Sequence, residues 1–284
     1  MERLRQYLWL MRLHRPIGIF LLLWPTLWAL WIASAGHPNL LVTIVFILGV
    51  ILMRSAGCVI NDYADRQIDP FVRRTCDRPL ANGQVTEREA LILFSVLCLT
   101  AFSLVLLMNW LTVILSFIAV LLAISYPFMK RYTYWPQAYL GIAFGWAIPM
   151  VFAAQTGQVP FLAWWLVVIN VIWTIAYDTV YAMVDREDDL VIGVKSTAIL
   201  FGQADKAIVG ALHFLVLLML WASGRWLQLS VIYDVSLLIA GGLAIYQQWL
   251  IKDRQPERCF TAFLNNHWFG ASIFLGLVGH YLFA

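Results

Sequence analysis

Charged residues are scarce in this sequence. Asp, Glu, Lys and Arg make up 12% of its 284 residues, whereas they make up about 25% of a typical globular domain. Apolar residues account for 62% of the chain. This composition argues against an ordinary soluble domain and favours a multi-pass membrane protein.

Cysteine and histidine are also few, and their spacing does not suit a metal site. The 4 cysteines are scattered without a CxxC pair, and the 5 histidines show no spacing typical of metal ligands. We therefore expect neither disulfides nor zinc. The sequence also lacks a GxSxG motif, a phosphate-cradling glycine loop and any nucleic-acid-binding signature, so we expect no nucleic-acid partner.

Long apolar segments dominate the chain. Nine of them have about 18–23 residues, which is enough to cross a hydrocarbon core of about 30 Å. We place these segments at 16–35, 40–60, 89–108, 110–128, 137–155, 161–183, 206–223, 229–250 and 262–283. The sequence thus predicts an all-α multi-pass membrane protein, a single domain over residues 1–284 with nine transmembrane helices.

Basic residues separate sharply between the two ends of these segments. All but one of the 19 Lys and Arg residues lie before segment 1 or in and around the connections after the even-numbered segments. The exception is Arg225. By the positive-inside rule, the N-terminus and these connections are expected in the cytoplasm and the C-terminus on the far side. The connection after segment 2 is the richest, with Arg54, Arg66, Arg73, Arg74, Arg78 and Arg88 in and around it.

Two acidic stretches follow segments 2 and 6. The first has four polar side chains at i, i+1, i+4 and i+8, namely Asn61, Asp62, Asp65 and Asp69. This spacing predicts that its carboxylates share one face of a helix. Asp185 and Asp189 lie 120 residues after Asp65 and Asp69, which favours a parallel internal repeat of segments 1–4 and 5–8, with segment 9 added. Because both segments run toward the cytoplasm, we expect the two stretches to meet at one end of the bundle.

These acids predict a site that binds cations. A carboxylate at the bilayer centre costs roughly 2.5–3.5 kcal/mol, so the acids must lie outside the lipid or line a wet cavity. One such cluster could be a solvated face, but two clusters of matching spacing favour a binding site. Oxygen ligands without His or Cys suit Mg²⁺, which completes its shell with water and phosphate oxygens. We therefore expect an anionic substrate such as a diphosphate.

The basic residues near the acids agree with a diphosphate. Arg66 shares the first acidic connection, Lys130 and Arg131 end segment 4, and Lys195 follows the second acidic stretch. Metal and cation clamps of this kind serve phosphoryl transfer, and also the departure of diphosphate as a leaving group. The second reaction leaves a carbocation, which aromatic faces such as Tyr181 can stabilise.

The two motifs resemble those of the UbiA superfamily of intramembrane prenyltransferases. The NDxxDxxxD motif of that superfamily is present as NDYADRQID from Asn61 to Asp69, and its second motif as YAMVDREDD from Tyr181 to Asp189. The likeness continues through RTCDRPLANG and IGVKSTAILFG, and covers nearly the whole chain. It is greatest to bacterial members that transfer a polyprenyl group to the 3-position of 4-hydroxybenzoate in ubiquinone biosynthesis.

The resemblance implies a bundle around a central cavity, with the two motif loops capping it on the cytoplasmic side of the bacterial inner membrane. The C-terminus would be periplasmic. The substrates would be polyprenyl diphosphate and 4-hydroxybenzoate, with Mg²⁺ as cofactor and the tail in membrane lipid. The implied metal ligands are Asp62, Asp65, Asp69, Asp185 and Asp189. Catalysis would involve Asp65, Asp69, Asp185, Asp189 and Arg131. Substrate contacts would come from Asn61, Arg15, Arg54, Lys130, Arg66, Tyr181 and Lys195.

Several alternatives stay open at this point. The acceptor could be a different one, such as homogentisate, dihydroxynaphthoate, haem or a glycerol phosphate lipid. A cation-coupled transporter is the main rival of another class, but transporters carry ionisable groups near the bilayer midplane. A CDP-alcohol phosphotransferase would need a motif that this sequence lacks. The sequence does not decide whether Lys130 and Arg131, or Arg15 or Arg54, bind the acceptor carboxylate. It also leaves open the group that takes the ring proton.

Overall fold

The computed structural model describes residues 2–71 and 75–283, and this part of the chain contains helices but no β-strand. Its α-helices are α1 (Glu2–Leu10), α2 (Ile17–Ala33), α3 (Leu40–Asp65), α4 (Glu87–Val105), α5 (Trp110–Ser125), α6 (Met129–Tyr132), α7 (Pro136–Gly145), α8 (Ala147–Thr156), α9 (Phe161–Val184), α10 (Arg186–Ile192), α11 (Thr197–Phe201), α12 (Asp205–Trp226), α13 (Val231–Leu250) and α14 (Pro256–Phe283). Four 3₁₀ turns span Asp69–Phe71, Tyr126–Phe128, Gly202–Ala204 and Ile251–Asp253. The predicted all-α class is confirmed.

Seven helical stretches within the described residues are long and apolar enough to cross a membrane. They correspond to predicted segments 2 to 8, which makes the protein a multi-pass membrane protein. The other two segments differ from these in length or polarity. Helix α2 has only 17 residues. Helix α14 has 28 residues, but Asn265, Asn266 and His267 lower its mean hydropathy. The count of nine spans therefore stays a prediction.

Side-chain caps explain where several helices begin. The Asn39 side chain accepts hydrogen bonds from two backbone N–H groups at the start of α3. Thr86 and Glu89 form a reciprocal capping box at the start of α4. Asn109 caps α5 and Ser196 caps α11 through the same kind of contact. Each cap satisfies backbone N–H groups that have no partner within the helix.

The predicted segment 137–155 divides into two helices, α7 and α8, at Trp146. Pro149 has no N–H to donate to the carbonyl of Gly145, so the helical ladder is interrupted there. Gly141 and Gly145 form a GxxxG step at which α7 packs closely against α9. A Cβ atom at Gly141 would lie 2.8 Å from the Cα atom of Val171 in α9.

Helix α9 lies at the centre of the bundle. It packs against α7, α12 and α14, while α2 packs against α8, α14 and α3. Trp173 and Tyr177 of α9 are fully buried in this core. A second, smaller core holds α1 and the connection after α3 against α3 and α4, through residues that include Leu10, Val59 and Val85. The end of α3 is thereby fixed against α1 and α4.

Candidate active site

A cavity of about 1040 Å³ runs into the bundle between α2, α3, α4, α5, α7, α8, α9 and α14. One end is polar and is lined by all five of the predicted metal ligands. The walls farther in are largely apolar and include Phe102, Phe117, Val120 and Met150. The cavity therefore joins an ionic compartment to a hydrophobic one.

The first acidic stretch bends between its second and third carboxylates. Asp62 and Asp65 lie in the last turn of α3, and Asp69 lies in the 3₁₀ turn beyond it. The prediction that the three carboxylates share one helical face is therefore wrong for Asp69. Pro70 lacks the N–H that would bond to the carbonyl of Arg66, so α3 cannot continue. All three carboxylates are nevertheless buried at the cavity.

The second acidic stretch also spans a helix boundary. Asp185 follows the last residue of α9, and Asp189 lies in the short helix α10. Both residues line the cavity with Asp62, Asp65 and Asp69. The predicted meeting of the two stretches at one site is borne out geometrically.

Three basic side chains neutralise the first stretch. Arg12 donates a hydrogen bond to Asp62 at 2.5 Å. Arg78 contacts Asp62 at 3.0 Å and Asp69 at 2.7 Å. Lys130 donates to Asp65 at 2.5 Å. These pairs offset the cost of burying carboxylates in a medium of low dielectric constant.

Arg12 and Arg78 are site residues that sequence reasoning did not single out. Both were visible as basic residues beside the apolar segments, and Arg78 lies in the RTCDRPLANG stretch. Burial disfavours the charged form of Arg12, but Asp62, together with Cys58 and Tyr181, outweighs this effect and raises the pKa of Arg12. Burial also raises the pKa of Asp69, although Arg78 opposes that shift. Arg78 thus favours the ionised form of Asp69.

The donor set fits divalent magnesium bound together with phosphate oxygens. Oδ1 of Asp65 is buried and has no hydrogen-bond partner within the described part of the chain. Among the described residues, no three acidic, His or Cys side chains lie close enough to hold one ion. Magnesium commonly takes one or two carboxylates and completes its shell with water and substrate phosphate. The residues therefore suit ions shared with an anionic ligand.

The structure divides the predicted substrate-binding residues into two groups. Asn61, Arg15, Arg54, Lys130, Tyr181 and Lys195 all line the cavity. Asn61 also donates to Asp65 at 3.3 Å. Lys195 donates a hydrogen bond from its backbone to Lys130 and from its ammonium group to Tyr132. The second acidic connection is thereby tied to the end of α6.

Arg66 and Arg131 are not among the described residues that line the cavity. Arg66 pairs with Glu87 at 3.0 Å and lies over the ring of Tyr63. Arg131 donates to the carbonyl of Ala64 at 2.5 Å, and so holds the last turn of α3. Arg73 and Arg74, which were counted among the basic residues, lie outside the described part of the chain.

A second polar layer lies deeper in the cavity. Arg54 precedes Asn61 by seven residues, and Asp178 precedes Asp185 by seven residues, which is about 10 Å along each helix. Both side chains line the cavity. Arg54 donates to Sγ of Cys58 at 2.7 Å, but its buried Nε has no partner among the described residues. Asp178 was missed, although an ionisable residue in an apolar helix is itself a signal of function.

Room for Arg54 depends on a glycine in the facing helix. A Cβ atom at Gly18 of α2 would lie 2.2 Å from Nε of Arg54. Residues larger than glycine would therefore displace the guanidinium group from its present position. The same guanidinium group lies 5.9 Å from the centre of the Phe144 ring, so one side of it faces an aromatic wall.

Comparisons with known proteins agree with this geometry. Residues 22–273 match the UbiA prenyltransferase family. The chain is 61% identical over 283 residues to the 4-hydroxybenzoate octaprenyltransferase of Methylococcus capsulatus, covering 100% of this chain and 97% of that protein. A UbiA homolog from Aeropyrum pernix K1, solved without ligand, has a TM-score of 0.81 at 26% identity, covering 92% of this chain and 96% of that one.

A UbiA homolog from Archaeoglobus fulgidus, bound to GPP and Mg²⁺, shares the fold. Its TM-score is 0.72 at 17% identity, covering 96% of this chain and 99% of that one. The resemblance that the two acidic motifs indicated is confirmed. The chain belongs to the UbiA prenyltransferase family.

Proposed function

We propose that this protein transfers a polyprenyl group from polyprenyl diphosphate to the 3-position of 4-hydroxybenzoate, in ubiquinone biosynthesis. The observation that carries the proposal is one cavity that joins five carboxylates and their cations to an apolar channel. A relative of 61% identity over the whole chain is a 4-hydroxybenzoate octaprenyltransferase. We therefore expect an octaprenyl donor to be used well.

The polar end of the cavity binds the diphosphate of the donor. The carboxylates that would hold Mg²⁺ there are Asp62, Asp65, Asp69, Asp185 and Asp189. Bound Mg²⁺ would neutralise phosphate oxygens and so make diphosphate a better leaving group. A UbiA homolog with this fold was solved with GPP and Mg²⁺, which supports the choice of ion. Lys130, Arg12 and Arg78 supply further positive charge beside the same carboxylates.

The reaction exchanges a carbon–oxygen bond for a carbon–carbon bond. The bond between the allylic carbon and the diphosphate oxygen breaks, and both electrons leave with diphosphate. The ring carbon ortho to the phenol hydroxyl attacks the allylic carbon, and loss of its proton restores the aromatic ring. The basic side chains stabilise the charge that grows on the leaving group. The ring of Tyr181, held 4.6 Å from that of Phe263, faces the cavity and stabilises the allylic cation.

Among the open alternatives for the acceptor carboxylate, Arg54 is the best placed. Lys130 is already paired with Asp65, and Arg131 is directed to a backbone carbonyl outside the cavity lining. Arg54 instead offers a buried N–H group that no described residue accepts. A carboxylate is the natural partner for such a donor. Asp178 at the same depth is then a suitable acceptor for the ring proton.

The apolar part of the cavity would hold the prenyl tail. Leu99 of α4 is 67% exposed and Phe117 of α5 is 54% exposed, yet both line the cavity. These exposures support the lateral opening to the bilayer that a long tail requires. The start of the chain from the allylic carbon would lie in the protein and the remainder in membrane lipid.

We place the acidic end of the cavity at the cytoplasmic face of the bacterial inner membrane, capped by the two motif connections. Two ion pairs near this end agree with nine passes. Lys130, which follows α5, contacts Asp65 at the end of α3, and Arg254, between α13 and α14, contacts Asp205 at the start of α12. The C-terminus would then be periplasmic. The parallel repeat of the two halves stays a prediction.

One assay tests the proposal. Purified protein in lipid is given 4-hydroxybenzoate, octaprenyl diphosphate and Mg²⁺, and the prenylated acid is measured with and without a chelator. Product should require the metal, and Asp65→Asn and Asp185→Asn should each lower its rate about 100-fold or more. Asp234→Asn, at the other end of the bundle, is the matched control and should retain the wild-type rate. Product that is formed equally well by both site variants would refute the assignment, and transfer only to another acceptor would redirect it.

A further inference from the structure

A second charged cluster lies beside the cavity and contributes no residue to its described lining. Its centre is Asp205, the first residue of α12, whose side chain is completely buried. Asp205 accepts hydrogen bonds from Arg254 at 2.7 Å and from Arg186 at 3.1 Å. Its carboxylate also accepts from the backbone N–H of Lys206 at 2.6 Å. Three donors of this kind hold the buried carboxylate of Asp205 in one position and orientation.

Arg254 holds the turn between α13 and α14 against this carboxylate. Its backbone adopts φ of 54°, the left-handed region that disfavours side chains other than glycine. The guanidinium group also donates to the carbonyl of Gln203 at 2.9 Å. These contacts compensate for the unfavourable backbone conformation. They set the start of α14, whose residues Pro256 and Phe260 line the cavity.

Arg186 connects the same carboxylate to the second acidic stretch. It is the first residue of α10, directly after Asp185 and one turn before Asp189. Asp185 and Asp189 line the cavity, whereas Arg186 is absent from its described lining and reaches Asp205 instead. The start of α10 therefore has acidic side chains directed to the cavity and a basic side chain anchored behind them.

We propose that Asp205 and Arg186 are positioning residues that orient the second acidic stretch for binding metal and diphosphate. The inference rests on the proposed function, because Asp185 and Asp189 act as ligands only if the site takes a metal–diphosphate. An outer contact of this kind fixes the direction of the ligands in front of it, and losing one typically weakens metal binding about 10- to 100-fold. Neither residue belongs to the described lining of the cavity.

Arg186→Gln is the informative variant. It removes the link to α10 but leaves Asp205 paired with Arg254, so the buried carboxylate keeps a cation. Asp205→Asn would leave two arginines without their partner, and its effect on folding would obscure the result. Arg186→Lys keeps the charge and can restore a single hydrogen bond, since the present contact uses only one guanidinium nitrogen. Arg225→Gln, which breaks the exposed pair with Asp234, is the matched control.

The test measures binding and does not depend on turnover. Purified protein in lipid nanodiscs is titrated with Mn²⁺ in the presence of inorganic pyrophosphate, and free Mn²⁺ is read by electron paramagnetic resonance. Thermal unfolding is followed on the same samples. We expect Arg186→Gln to weaken Mn²⁺ binding about tenfold or more with little change in unfolding temperature. Arg186→Lys should recover most of the affinity, and Arg225→Gln should match the wild type.

The outcomes separate the two proposals. If the wild-type protein binds no Mn²⁺ with pyrophosphate, the metal-dependent part of the proposed function fails. If the wild type binds and Arg186→Gln binds equally well, the positioning role alone is overturned. If Arg186→Gln and Arg186→Lys lose affinity equally and both unfold at a lower temperature, the cluster is purely structural and the inference is again overturned.

Discussion

Replacing Arg54 with Gln should separate acceptor binding from donor binding. The substitution removes the positive charge of Arg54 and its buried Nε–H group, which no described residue accepts. The carboxylates and cations of the diphosphate end are left unchanged. We expect KM for 4-hydroxybenzoate to rise and kcat/KM to fall, with KM for the polyprenyl diphosphate close to the wild-type value. A hydrogen bond to a charged group contributes about 1.5–3 kcal/mol. Because about 1.4 kcal/mol corresponds to a factor of ten, kcat/KM should fall about 10- to 100-fold.

A neutral analogue of the acceptor makes this prediction sharper. The wild-type protein should prefer 4-hydroxybenzoate to 4-hydroxybenzamide strongly, since the amide offers no negative charge to the buried N–H group of Arg54. In Arg54→Gln the two acceptors should react at similar rates. Product formation from each acceptor, measured at fixed donor and Mg²⁺, gives the ratio directly. The comparison is made within one variant, so differences in the amount of active protein cancel.

Arg15→Gln is the matched control, because Arg15 also lines the cavity and is the rival for the acceptor carboxylate. It should leave the ratio of the two acceptors unchanged. The reasoning about Arg54 would be refuted if Arg54→Gln kept the wild-type ratio while Arg15→Gln abolished it. It would also be refuted if Arg54→Gln raised KM for the donor and left KM for the acceptor as it was.

Three further variants test the ionic end and the framework. Lys130→Gln removes the cation paired with Asp65, so kcat/KM for the polyprenyl diphosphate should fall at least about tenfold, as measured by steady-state kinetics with donor varied. Gly141→Val would bring side-chain atoms against the α9 backbone, since even a Cβ atom would lie 2.8 Å from a Cα atom there. This overpacking should cost about 1–3 kcal/mol, detected as a lower unfolding temperature in detergent. Thr86→Ala removes the cap of α4 and should cost about 1 kcal/mol, with kcat/KM unchanged.

The carboxylates of the site could be predicted from the sequence because they are conspicuous in an apolar chain. One acidic cluster beside a membrane segment could be a solvated face, but two clusters of matching spacing favour a binding site. The common direction of segments 2 and 6 then placed Asp65 and Asp185 at the same end of the bundle. That prediction agrees with the cavity, which both residues line.

The partners of those carboxylates could not be predicted in the same way. Arg12 reaches Asp62 across 50 residues of sequence, and this depends on how α1 folds back against α3. From the sequence alone, the positive-inside rule is a sufficient explanation for basic residues such as Arg12 and Arg78. Arg66 shows the opposite case, since it lies beside the acidic motif yet pairs with Glu87 away from the cavity lining. Closeness in sequence to the motif was a poor guide to side-chain direction.

The bend at Asp69 and the polar middle of α14 have local causes that the sequence does contain. Pro70 stops α3, so the expectation of one helical face for the first stretch should have ended at Asp65. In α14, Asn266 accepts a hydrogen bond from Trp173 at 3.2 Å in the core. A polar residue satisfied inside the bundle lowers the hydropathy of its helix without placing the helix in water. Mean hydropathy therefore underestimates the number of membrane-spanning helices when a helix such as α14 carries polar residues that are satisfied inside the bundle.

The acidic end contains carboxylates and basic side chains together. This pairing allows the carboxylates to be buried in a membrane protein and is compatible with the proposed binding of a diphosphate. Carboxylates alone would repel the donor and would be costly to bury. Arg12, Arg78 and Lys130 balance Asp62, Asp65 and Asp69 through direct contacts. A ligand made of metal cations and diphosphate oxygens carries both signs as well, so it can pair with the carboxylates through its cations and with the basic side chains through its oxygens. We therefore expect metal and diphosphate to bind with positive coupling. Metal that pairs with the carboxylates frees the basic side chains for diphosphate, and diphosphate that pairs with the basic side chains frees the carboxylates for metal.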